Sequence, residues 1–141
     1  MPTLHLGVND MPYARGGKTT GDVADLLEER YGIMSAFVAM HEPVLNHVIE
    51  NSLQGGIETA LMGGGGGSAA SYLATATSEI EDLFKEALTM QSYDGKLPGV
   101  PTGAALAGVN HRFKHPYAKR DPRPSFIDTG LYQSSFRCWV D

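Results

Sequence analysis

At 141 residues, with 42% apolar and 19% charged side chains, the chain has the size and composition of one folded domain and is too short for two independent cores. Its single cysteine, Cys138, excludes an internal disulfide and a thiolate metal cage, and predicts synthesis in a reducing cytoplasm. The net charge of -5 divides unevenly: residues 1–95 carry four Lys/Arg against thirteen Asp/Glu, and residues 96–141 carry seven against three, so a basic strip sits on an acidic body.

In chain order, 3–8 alternates apolar with small or polar side chains, the period of a half-buried strand, and 9–17 reads as loop. Thr19 stands three positions before Asp22, after which Val23, Leu26, Leu27 and Arg30 or Tyr31 recur at helical spacing. A capped helix over about 20–31 is predicted, ended by Gly32. The stripe Phe37, Met40, Val44, Val48, Ile49, Leu53, Ile57 and Leu61 predicts a second helix over 33–62. Pro43, which lacks an N–H, and the pair Gly55 and Gly56 are expected to kink or divide it. The glycine-rich stretch 63–68 reads as a flexible connector, because each glycine loses much backbone entropy on ordering.

A third helix is predicted over 77–91, with Ile80, Leu83, Phe84, Ala87 and Leu88 on one face and Glu79, Glu81 and Asp82 near its positive end; Asp94 and Gly95 close it. Thr102 is the expected cap of a short helical turn over 103–107. The segment 111–124, basic and broken by prolines, reads as extended surface chain. Aromatic, β-branched and hydroxyl residues from Phe126 to Val140, around a turn at Gly130, predict a strand. The expected fold is therefore α+β in a single domain, 1–141, with central helices, short strands near both ends and long irregular loops. Pairing of the two strands in one sheet is the economical arrangement.

Several motifs invite a chemical reading, and each lacks a necessary part. The segment from Gly16 to Thr20 resembles the end of a phosphate-binding loop, but the glycine needed five positions before Gly17 is Pro12; a helix-capping loop explains the residues. Asp128, Thr129 and Gly130 match the Asp-Thr-Gly of aspartic proteases, where two aspartates share a proton, yet only eleven residues follow Gly130 to build such a fold. The simpler role for the three is a braced turn, with Gly130 at the special backbone angle. His111 and His115 lie four apart but are separated by Arg112, Phe113 and Lys114, which supply no carboxylate and repel a metal ion. Cys138, beside Trp139, has no evident base partner and reads as a packed thiol. No catalytic residue, metal or cofactor is predicted. The candidate partner-binding residues are Arg112, Lys114, Lys119, Arg120 and Arg123, which fall within twelve residues and suit either an acidic protein surface or nucleic-acid phosphates. In the second case Phe113 or Tyr117 would stack on bases.

The string from Arg123 to Phe136, with its Pro124, Asp128-Thr129-Gly130, Tyr132 and Ser135-Phe136, resembles a signature of tailed-phage morphogenesis proteins of the head-tail joining, neck and tail-completion families. The block from His111 to Arg120 ahead of this ending is similar to one in small proteins of proteobacterial phages and prophages. The resemblance implies a noncatalytic virion component, synthesised in the host cytoplasm and assembled as a homo-oligomeric ring in the neck or tail. Its expected partners are copies of itself and other neck or tail proteins, with possible nonspecific contact with DNA and none with membrane. A tail-tip or baseplate position in the same virion, or a basic-strip nucleic-acid-binding module, are the alternative readings.

Overall fold

The computed structural model describes residues 2–14, 16–108, 121–127 and 130–141. Among these the elements run β1 (Leu4–Val8), α1 (Thr20–Tyr31), α2 (Ile33–Leu61), α3 (Ala69–Tyr72), α4 (Ala74–Thr89), α5 (Gly103–Ala107), α6 (Leu131–Ser135) and β2 (Phe136–Val140). The class is α+β, with the strands flanking the helices. β1 and β2 pair antiparallel, Leu4 opposite Val140 through Val8 opposite Phe136. Side chains alternate across a sheet, so this register turns Leu4, Leu6, Val8, Phe136 and Cys138 toward the helices. His5, Gly7, Arg137 and Trp139 share the other face, where His5 stacks on Trp139 at 5.3 Å.

The core closes around Phe84 of α4, which is fully buried. Its ring stacks on Phe136 of β2 at 3.8 Å, meets Phe37 of α2 edge-on at 5.3 Å, and faces Tyr132 of α6 at 6.4 Å. One side chain thus ties four elements together. Burial of such a ring is among the largest single contributions available, and truncating one to alanine costs about 3–5 kcal/mol.

α1 starts with the predicted capping box: the Asp22 N–H donates to Thr19 Oγ1 at 3.3 Å, and the Thr19 N–H donates to Asp22 Oδ2 at 3.0 Å. Gly32, at φ 63, ends α1 and opens α2. Since glycine has no side chain to cap α2, Glu28 of α1 does so instead, accepting from the N–H groups of Met34 at 2.8 Å and Ser35 at 3.1 Å. The two helices are therefore joined by a carboxylate as well as by a glycine.

Three expectations need correction. First, α2 is one helix, undivided at Pro43 or at Gly55 and Gly56. Pro43 is exposed, and Gly56 has a packing role: a Cβ there would lie 2.9 Å from Cγ and 3.0 Å from Cβ of Tyr72, so the glycine lets α3 approach. Second, the helix expected over 77–91 is α4, which starts at Ala74 and ends at Thr89. Its early start is set from a distance, since Ser52 Oγ of α2 accepts from the Ala76 N–H at 3.3 Å and donates to the Tyr72 carbonyl at 2.7 Å. Third, the strand expected from Phe126 begins only at Phe136. Phe126 and Gly130 both have positive φ, 69 and 80, which redirects the chain, and α6 fills the interval with local helical bonds.

The stripe on α2 also leaves the core partway along. Ile33, Phe37 and Leu45 are buried and Met40, Val48 and Ile49 are partly covered, but Val44, Ile57 and Leu61 are exposed. The glycine stretch 63–67 is exposed, with the Gly64 N–H bonded to the Thr59 carbonyl at 2.9 Å and the Gly67 N–H to the Tyr72 hydroxyl at 2.8 Å.

The two adjacent glycines of α2 make a test of this packing. A Cβ at Gly55 meets nothing within 4 Å. Gly55→Ala is expected to stabilise the protein by about 0.5–1 kcal/mol through helix propensity. Gly56→Ala is expected to destabilise it by about 1–3 kcal/mol by overpacking against Tyr72. Urea unfolding of the two variants beside the parent checks the opposite signs; stabilisation by both would show that α3 does not pack on α2.

Candidate functional site

A cleft of about 300 Å³ runs between α1 and the chain entering α6. On one wall Val23, Leu26 and Leu27 follow the i, i+3, i+4 spacing of the helical face; on the other stand Phe126, Leu131 and Tyr132. Leu26 is 44% exposed although it belongs to that apolar stripe, because the opposing wall stands off from it. Tyr31 closes one end by meeting Phe126 edge-on at 5.3 Å. The guanidinium of Arg30 lies 5.8 Å from the centre of the Tyr31 ring, and Lys18 joins Arg30 on the rim, giving the apolar floor a cationic edge.

The second wall is held by a set of backbone anchors. The Arg123 N–H donates to the Ala105 carbonyl at 3.0 Å, and the Thr102 N–H donates to the buried Ser125 hydroxyl at 3.0 Å. These fix 121–127 to α5, and Phe126 is then held at φ 69, a conformation that costs a bulky L residue about 1–3 kcal/mol. The strain aims its ring at Tyr31. α6 is fastened to α4, because Gln133 Nε2 donates to the Lys85 carbonyl and to Thr89 Oγ1, each at 2.7 Å.

Of the predicted partner-binding and turn residues, Arg123 and Gly130 fall within the described chain. Arg112, Lys114, Lys119, Arg120, Asp128 and Thr129 lie outside the described residues, as do His111 and His115. Arg123 is half-buried and its Nη1 donates to the Ile127 carbonyl at 2.9 Å, so it braces the cleft wall as well as contributing charge to it. Gly130, at φ 80, occupies the special backbone angle expected of it and stands at the start of α6.

The phosphate-loop resemblance has a local explanation. The Tyr13 N–H donates to the Lys18 carbonyl at 3.1 Å, and the Thr20 N–H donates to the Met11 carbonyl at 2.8 Å. At the start of α1 the Gly21 N–H donates to Asp10 Oδ1 at 3.1 Å, so an aspartate of the same chain occupies the place a phosphate would take.

Chemically, the cleft is equipped to bind. Its described lining carries phenol, ammonium, guanidinium and hydrocarbon groups, without carboxylate, imidazole or thiol. Burial holds the Tyr132 phenol well above its usual range, helped by the neighbouring Tyr93, Glu28 and Tyr13, and the same burial acts on Tyr93. Both keep their protons through ordinary pH. Among the described residues no three His, Cys, Asp or Glu side chains gather as metal ligands.

A second unusual surface lies at the far end of α2. Ile57 is 53%, Leu61 82% and Met62 90% exposed, whereas α4 meets the helix farther back, at Ser52 and Phe37. This end was legible as part of an apolar stripe; that it overhangs its support was not.

Cys138 is buried in β2, and its N–H donates to Glu81 Oε1 at 2.9 Å. Burial first and the Glu81 carboxylate second push its thiol up to about 11 from 9.0. A raised thiol pKa keeps the folded state protonated where the unfolded chain has ionised, so stability is intact below about 9 and falls as pH rises toward about 11. The expected result is that Cys138→Ala flattens this alkaline loss, read from urea midpoints measured across the interval. An unchanged slope would place the alkaline loss elsewhere.

No family model, curated protein or solved structure matches this chain.

Proposed function

We propose that the chain is a noncatalytic structural subunit of a tailed-phage virion, one member of a homo-oligomeric ring in the neck or tail around the DNA passage. The observation that carries the reading is the apolar end of α2, where Ile57, Leu61 and Met62 stand exposed on a helix that outruns its own core. A lone domain gains nothing from large apolar side chains in water, whereas a subunit covers them on assembly. The quoted signature supports the same reading. Within that string Gly130, at φ 80, stands at the start of α6, and Ser135 leads directly into β2 at the buried Phe136.

The uneven charge fits as well. Identical copies with an acidic body and a basic strip attract one another through unlike patches, which sets register and speeds encounter. Among the described residues no helix is long and apolar enough to cross a membrane. A tail-tip or baseplate place in the same virion rests on the same features. The cluster Arg112, Lys114, Lys119, Arg120 and Arg123 favours one further reading, a module that holds nucleic-acid phosphates.

The test is complementation of a phage lacking this gene, with Arg112, Lys114, Lys119 and Arg120 changed to glutamine and Arg123 left to brace the cleft. Infectious yield is expected to fall about tenfold or more, the equivalent of about 1.4 kcal/mol at an interface, while thermal unfolding of the isolated protein stays unchanged. Immunodetection in purified particles runs alongside, and absence of the chain from particles would overturn the virion reading. Binding of the isolated protein to random DNA, weakening by about 0.9 powers of salt concentration per phosphate, would favour the nucleic-acid module.

A further inference from the structure

The molecule carries two apolar surfaces that nothing in the described chain covers, and α2 fixes how far apart they are. The cleft sits where α1 ends, beside Arg30 and Tyr31, one residue before α2 begins at Ile33; the exposed Leu61 and Met62 sit where α2 finishes. The helix between them is uninterrupted over 29 residues and about 43 Å long. A rigid rod of that length prevents the tip of a chain from folding back into its own cleft.

We propose that the tip of α2 in one copy seats in the α1 cleft of the next copy, with Ile57, Leu61 and Met62 entering between Leu26 and Phe126. Shape favours this occupant. The tip is slender, because the residues that follow it, 63–67, are all glycine and project no side chains beside Met62. The cleft, at about 300 Å³, has the size of a small-ligand pocket and receives a few aliphatic side chains rather than a whole helix face. Charge favours it too. Glu58 stands on the exposed last turns of the tip, and Lys18 and Arg30 stand on the rim it would approach. Because the surfaces differ, the contact is heterologous: each copy gives one tip and offers one cleft, and repetition closes into a ring or continues as a helix.

This contact rests on the ring reading above and supplies its geometry. The experiment uses the full chain at rising concentration in sedimentation velocity, with a tip variant, Leu61→Asp with Met62→Asp, and a cleft variant, Leu26→Asp. All three positions are exposed, so folding is preserved and is checked by circular dichroism. The parent is expected to form species larger than a dimer, and each variant alone to associate at least about tenfold more weakly. Mixed one to one, the two variants retain one intact contact between them and are expected to give a heterodimer and nothing larger. The proposal is overturned if the parent stays monomeric, if either variant associates like the parent, or if the mixture stays monomeric. Association lost only in the tip variant would indicate tip-to-tip pairing, which also overturns it. A parent that forms rings untouched by these changes removes this contact and leaves the ring reading standing; absence from particles removes the ring reading itself.

Discussion

Everything in this fold hangs on the ring of Phe84. It stacks on Phe136, meets Phe37 and Tyr132 at steep angles, and so joins α2, α6 and β2 to the helix that carries it. A two-stranded sheet alone is marginal in water, and β1 with β2 becomes stable here because its inner face lies against α4. The same ring fixes the cleft at one remove. Tyr132 is both a neighbour of Phe84 and part of the cleft lining, so the wall opposite α1 is an outgrowth of the core rather than a loose loop.

Local signals in the sequence located the elements well where the stabilising groups are near in sequence. Thr19 and Asp22 announce α1 because both halves of the capping box lie within four residues, and Thr102 announces α5 in the same way. Signals failed where the deciding group is distant. The start of α4 is bonded to Ser52, and the glycine at 56 inside α2 makes room for Tyr72, neither visible from the residues beside them. The segment 131–135, expected as strand, is helical, and two positive φ angles, at Phe126 and Gly130, precede it. No propensity scale reports that.

The candidate surfaces divide along the same line. Apolar periodicity identified Val23, Leu26 and Leu27 and, on α2, Ile57 and Leu61 as sharing helical faces, without separating those that are covered from those that stand open. Periodicity reports which residues share a face; it cannot report where the supporting layer stops. Leu26 is open because the facing wall is pinned to α5, and Leu61 is open because α4 is 16 residues long where α2 is 29. The mismatch of two helix lengths, more than any motif, gives the molecule its surface character.

The pairing of β1 with β2 has a consequence for how the protein comes into being. Leu4 waits for Val140 and Val8 for Phe136, so the first strand made is among the last structures formed. While the helices between them are synthesised, β1 remains an apolar segment without a partner, and the core lacks the ring that stacks on Phe84. Closure of the core over β1 therefore waits until β2 is available to pair with it. A chain lacking Phe136 would carry a soft, exposed interior, open to chaperones and proteases.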